Sequence, residues 1–98
     1  MAQFDVYLLP DGTRVVDVQS PFASVYATRL VIPLIGSGGD VASTTRLNPL
    51  IKMDGEIWIL AIQFASTLDA TLLRTPIASL AHEDLTIKDS IDFLINGF

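Results

Sequence analysis

Leu50-Ile51-Lys52-Met53-Asp54-Gly55-Glu56-Ile57-Trp58-Ile59-Leu60-Ala61-Ile62-Gln63 is the stretch on which the fold reading turns. Two apolar runs flank Asp54-Gly55, and Asp-Gly suits the two-residue turns that reverse a β-strand. The stretch therefore reads as a hairpin with arms at 50–53 and 56–63. Trp58 lies between Ile57 and Ile59, where packing in the core or between subunits is the default role for a large aromatic.

Working outward, the same grammar recurs. Residues 4–9 alternate, with Phe4, Val6 and Leu8 on one face and Asp5 and Tyr7 on the other. In Pro10-Asp11-Gly12-Thr13, Pro presets φ, Asp bonds nearby backbone and Gly accepts an awkward φ, so the chain turns. Residues 14–19 resume with Val15, Val16 and Val18 and complete a first hairpin. Residues 20–28 contain Pro21 and read as a loop carrying Phe22 and Tyr26. Residues 29–35 form a buried strand in which Pro33 removes a ladder donor, which predicts an edge position or a bulge. The Gly- and Ser/Thr-rich residues 36–45 read as a surface loop.

On the other side, residues 70–74 read as a last short strand, ended by Thr75-Pro76. From 82 to 95 the period becomes helical. Ile87, Ile91, Leu94 and Phe98 mark one face; Asp84, Lys88, Asp92 and Asn96 mark the other. Asp84 and Lys88 have the favourable acid-first order, and Gly97 is a natural stop. Several short strands followed by one helix predict a mainly β single domain over 1–98, a small barrel-like sheet closed or covered by its C-terminal α-helix.

Half of the 98 residues are hydrophobic and 17% are charged, against about 25% charged in an ordinary domain. Disorder is excluded, because it requires low hydrophobicity. So much apolar surface on so short a chain predicts a homodimer that buries a second face. Eleven acidic and six basic residues give a net charge of −5. This argues against direct nucleic-acid binding through a broad basic surface and suits a partner with a positive groove. The absence of cysteine excludes disulfides, Cys-type zinc sites and thiol nucleophiles. Met1-Ala2-Gln3-Phe4-Asp5 has no basic or apolar start, and the longest apolar run, 57–62, is far shorter than a membrane span. A cytoplasmic protein without membrane association is expected.

Catalytic signatures are not found. His82, the single histidine, has no partner at metal-ligand spacing and reads as a solvated residue at a helix start. Gly36-Ser37-Gly38-Gly39-Asp40 resembles a phosphate loop, but Val41 replaces the glycine of a dinucleotide fingerprint and no Gly-Lys-Ser/Thr follows. Asp54-Gly55-Glu56 lacks the spacing of a calcium loop. Arg29 reads as the partner of an acid rather than a functional cation. No catalytic residue, cofactor or metal is expected.

A set of words remains: Gln3-Phe4-Asp5-Val6-Tyr7, Val16-Asp17-Val18-Gln19-Ser20, Arg29-Leu30-Val31-Ile32-Pro33-Leu34, Leu47-Asn48-Pro49, Leu80-Ala81-His82, Ile87-Lys88 and Ile91-Asp92-Phe93-Leu94-Ile95-Asn96-Gly97-Phe98. In this order the chain resembles the CcdB toxins from residue 3 to residue 98. The resemblance implies an SH3-like barrel of the CcdB/MazF/Kid type with a C-terminal helix, in a two-fold homodimer. It implies a type II toxin–antitoxin toxin that is not an enzyme. Such a toxin inserts between the A subunits of DNA gyrase, traps the cleaved DNA complex, and is removed by the disordered tail of a CcdA-like antitoxin, with which it acts as a transcription co-repressor. The implied gyrase-contacting residues are Phe22, Ala23, Asp92, Ile95, Asn96, Gly97 and Phe98. A well-studied member has Trp at the position of Asn96, and its first hairpin turn is longer than Pro10-Asp11-Gly12-Thr13.

Two other readings share this fold. A MazF/Kid-like endoribonuclease needs a basic RNA path and a positioned acid or base; four arginines and two lysines scattered over an acidic chain supply little of either. A non-toxic homologue that only binds an antitoxin is the reading that the missing aromatic at Asn96 suits.

Overall fold

The computed structural model describes residues 2–23, 25–36 and 46–97. Its strands are β1 (Asp5–Leu8), β2 (Arg14–Asp17), β3 (Thr28–Gly36), β4 (Leu50–Met53), β5 (Glu56–Leu60), β6 (Ser66–Asp69) and β7 (Ala78–Ser79), followed by α1 (Asp84–Asn96). All strand pairings are antiparallel. The sheet runs β4-β5-β3-β2-β1-β7, with β6 also paired to β3. It is a nearly closed barrel with one C-terminal helix, as the sequence predicts.

Both hairpins form for the reasons expected. Asp54 and Gly55 have φ of 54° and 79°, the left-handed pair of a tight turn whose twist matches the strands it joins. Met53 therefore pairs with Glu56, and Ile51 with Trp58. In the first hairpin the Asp11 carboxylate accepts from the Thr13 amide at 2.9 Å, while Leu9 N donates to Thr13 O at 2.8 Å.

Pro33 lies neither at a sheet edge nor in a bulge. It faces Val15 in the middle of the β2–β3 ladder. Its carbonyl accepts from Ala61 N, so its missing donor points away from β2, since N and O of one extended residue share a side. On that side β3 changes neighbours: residues 28–31 pair with β6, and 34–36 with β5. The proline thus sits between two ladders and removes no hydrogen bond from either.

The strand expected at 70–74 is also corrected. The strand is β6, just before it, and Ala70–Leu72 is a 3-10 turn. The Asp69 carboxylate caps this turn, accepting from Thr71 N at 2.9 Å and Thr71 Oγ1 at 2.8 Å. An Asp offering its side chain to the amide two residues on competes with continued strand pairing. The turn delivers Leu73 to a small cluster with Tyr7, Val15 and Val31. Likewise the second arm of the central hairpin stops at Leu60, and Ile62–Phe64 form a 3-10 turn.

The main core gathers Phe4, Val6, Val16, Val18, Ile32, Leu34, Ile51, Met53, Leu60, Ile62, Leu80 and Ile87. Phe4 and Val6 share it as expected, whereas Leu8 is half exposed, past the end of the core. Tyr7, on the opposite face of β1, is buried in the second cluster, so both faces of this strand are covered. Burial pushes the Tyr7 phenol up from its ordinary pKa, with a further rise from the nearby carboxylates of Asp5 and Asp17.

Candidate functional site

The segment from Ala81 to Asn96 begins as a 3-10 turn and continues as α1. Ile87 is fully buried in the main core and Ile91 packs against it. Farther along, contact with the barrel loosens: Leu94 is 47% exposed and Ile95 71%. The predicted inward face therefore holds for the first half of the helix and opens at its end. The helix is also held by Ser90, a polar residue that periodicity did not single out. It is fully buried, and its hydroxyl donates to Leu47 O at 2.7 Å. Arg46 adds a two-pronged ion pair to Asp89, at 3.0 and 2.8 Å, and lies over the Phe93 ring at 5.0 Å. This bonding holds the Asp89 carboxyl below its ordinary pKa.

Asp92, Ile95, Asn96 and Gly97 are all exposed. The spacing of 92, 95 and 96 places them on one side of the last turn. Gly97 ends the helix in the left-handed conformation, φ 79°, and its amide donates to Phe93 O at 2.9 Å, the expected role of a terminal glycine. Lys88 pairs with Asp84 across one turn at 3.8 Å. No ion pair engages Asp92 among the described residues, which leaves its carboxylate available to a partner. Phe98 lies outside the described residues.

Phe22 and Ala23 sit on a separate 3-10 turn, Pro21–Ala23, between β2 and β3. Phe22 is 97% exposed, and Val25 and Tyr26 beyond it are also strongly exposed. No hydrogen bond or ion pair among the described residues joins this turn to the end of α1. Of the predicted residues that are described, Phe22 and the partly exposed Ala23 form one group and Asp92, Ile95, Asn96 and Gly97 a second, each with an exposed apolar side chain, Phe22 in one and Ile95 in the other.

Arg29 is not a free cation. It is buried beside Asp17, with Nε donating to Oδ2 at 2.9 Å and Nη2 at 2.8 Å from the same oxygen. Trp58 packs against the main core with Arg14 over its ring at 4.8 Å. Its indole N–H has no hydrogen-bond partner among the described residues. His82 is exposed in the turn before α1. Among the described residues no three His, Cys, Asp or Glu side chains are grouped to hold a metal. Among the described residues no helix is long and apolar enough to cross a membrane.

One groove, of about 450 Å³, lies along the outer side of β1, between Leu8, Leu9 and Pro10 and the segment of Leu72, Arg74, Thr75 and Ile77. Its lining is mostly apolar, with Thr75 and Arg74 as the polar residues; Arg74 makes no ion pair among the described residues. Of the Gly-rich stretch 36–45 read above as a loop, Gly36 is instead the last residue of β3, and 37–45 lie outside the described residues.

The model of the family described as CcdB protein matches residues 3–97 of the 98. With that match over nearly the whole chain, and a sheet and helix arranged as that fold requires, this chain belongs to the CcdB family, the toxins of toxin–antitoxin pairs.

Proposed function

We propose that the chain is a non-catalytic poison of DNA gyrase. It binds the A subunit through Phe22 and Ala23 together with Asp92, Ile95, Asn96, Gly97 and Phe98, traps the enzyme on cleaved DNA, and is released by a CcdA-like antitoxin. It works as a homodimer in the cytoplasm, and with its antitoxin it acts as a co-repressor. The observation that carries this reading is the end of α1. There a helix otherwise pinned to the barrel presents an unpaired carboxylate, an exposed isoleucine, an amide and a glycine on one corner. Such a corner fits a basic, partly apolar surface: a carboxylate accepts two hydrogen bonds from a guanidinium, and an exposed aliphatic group fills a neighbouring pocket.

The groove between Leu8 and Ile77 supports the antitoxin half of the proposal. An extended acidic segment finds apolar lining and one available cation there. The ribonuclease alternative is weakened by Arg29, which is locked into a buried pair with Asp17, and by Arg46, which is engaged by Asp89. Arg29 is therefore not available to an RNA backbone, and Arg46 reaches one only by leaving Asp89.

Truncation after Ile95 tests the site. The shortened protein keeps its barrel and its binding to the antitoxin but loses calorimetric binding to a gyrase A fragment. Undiminished gyrase binding by the truncated protein contradicts the assignment.

A further inference from the structure

We propose that Gln19 is a positioning residue that holds the exposed turn carrying Phe22 in its binding pose. This rests on the gyrase reading above, in which Phe22 is a contact. Gln19 follows β2 and is half-buried. The two ends of its side-chain amide reach opposite ways. Oε1 accepts from Leu30 N of β3 at 2.9 Å, and Nε2 donates to Ala23 O at 2.8 Å. One planar group thus ties the turn to the central strand of the barrel.

The backbone of Gln19 is itself fixed from below. Its N–H donates to Asp17 Oδ1 at 3.0 Å, and its carbonyl accepts from Arg29 Nη2 at 3.3 Å. Asp17 and Arg29 are fully or almost fully buried and paired to each other. The buried ion pair therefore has a visible use: it anchors the residue from which the brace extends. Among the described residues the turn's remaining bonds are local. Ser20 Oγ accepts from Phe22 N at 3.2 Å, Ser20 O from Ala23 N at 2.9 Å, and Ala23 O from Tyr26 N at 3.3 Å. A three-residue turn with local bonds alone frays readily. An aromatic presented on it then has to be ordered when it binds, and a brace removes part of that cost in advance.

The chemistry demands a carboxamide at this position. A donor and an acceptor are needed on one planar group at this reach; Asn is one methylene short, and ionised Glu supplies no donor. Gln19→Glu is thus the diagnostic variant, since it keeps the length and the bond from Leu30 N and places a carboxylate against the Ala23 carbonyl.

The test has two arms. In the free protein, Gln19→Glu is expected to speed hydrogen exchange at the Phe22 and Ala23 amides while leaving β2, β3 and α1 unchanged. Unchanged exchange at the turn, or a uniform rise over the whole chain, overturns the brace. In calorimetry against a gyrase A fragment, Gln19→Glu is expected to weaken binding by about tenfold in the wild-type background and by less than about twofold when Phe22→Ala is already present, the signature of two residues acting through one contact. Equal weakening in both backgrounds overturns the positioning role. If the wild-type protein does not bind the fragment, the gyrase reading fails, and the exchange arm alone decides whether Gln19 holds the turn.

Discussion

Asn96 occupies an exposed position in the last turn of α1 and offers a short carboxamide to whatever faces it. An amide donates and accepts hydrogen bonds but has no aromatic face on which a guanidinium can rest. Where an arginine of gyrase lies opposite, Asn96→Trp is expected to strengthen binding by about 0.5–2 kcal/mol, the range of a cation–π contact. Calorimetric titration of a gyrase A fragment with both proteins checks this, and equal or weaker binding by the variant removes Asn96 from the contact. The exposed carboxylate of Asp92, four residues earlier, supplies the charge that the amide lacks. The buried charges Asp17 and Arg29 have a different task. They sit beneath the Phe22 turn and neutralise each other, so the charge that meets a partner comes from the helix end.

Elements were legible in the sequence where a local signal had no competitor. Asp54-Gly55 closes a two-residue hairpin because both residues accept positive φ, and any sequence with that dipeptide between apolar runs invites the same reading. The 3.6-residue period of Ile87 and Ile91 placed α1, and Gly97 placed its end. The misreadings share one cause: the deciding contact is distant in sequence. Pro33 looked like an edge residue because the switch from β6 to β5 involves residues about thirty positions away. Residues 70–74 looked like a strand because their apolar content was weighed without the cap from Asp69. Ser90 drew no notice because its value depends on Leu47 O, across the fold. Removing its hydroxyl leaves that carbonyl unsatisfied, so Ser90→Ala is expected to cost about 1–2 kcal/mol of stability, measured by urea denaturation. A loss near zero places the anchoring of α1 in the Arg46–Asp89 pair and the Ile87 packing instead. Of the candidate site, the residue identities came from the resemblance. Composition and periodicity alone leave Asp92 as an ordinary solvated acid on the polar face of α1, on which Lys88 pairs with Asp84 as its spacing predicts.

The whole molecule carries more apolar surface than its barrel buries. Leu50 and Ile57 on the β4–β5 hairpin and Leu85 and Leu94 on α1 are all substantially exposed. We propose that a second copy of the chain covers such faces. Light scattering at micromolar concentration is expected to give twice the 10.6 kDa chain mass; a stable species of the single chain mass contradicts the dimer. A two-fold dimer also doubles the proposed site, presenting two helix ends and two Phe22 turns to the paired A subunits of gyrase. The measurement that bears most directly on this account is a gyrase-mediated DNA cleavage assay with supercoiled plasmid, ATP and the purified protein. Linear DNA with gyrase covalently attached is expected to accumulate, and to disappear when the cognate antitoxin is added. Unaltered supercoiling with no cleaved complex, at protein concentrations that saturate antitoxin binding, would contradict it.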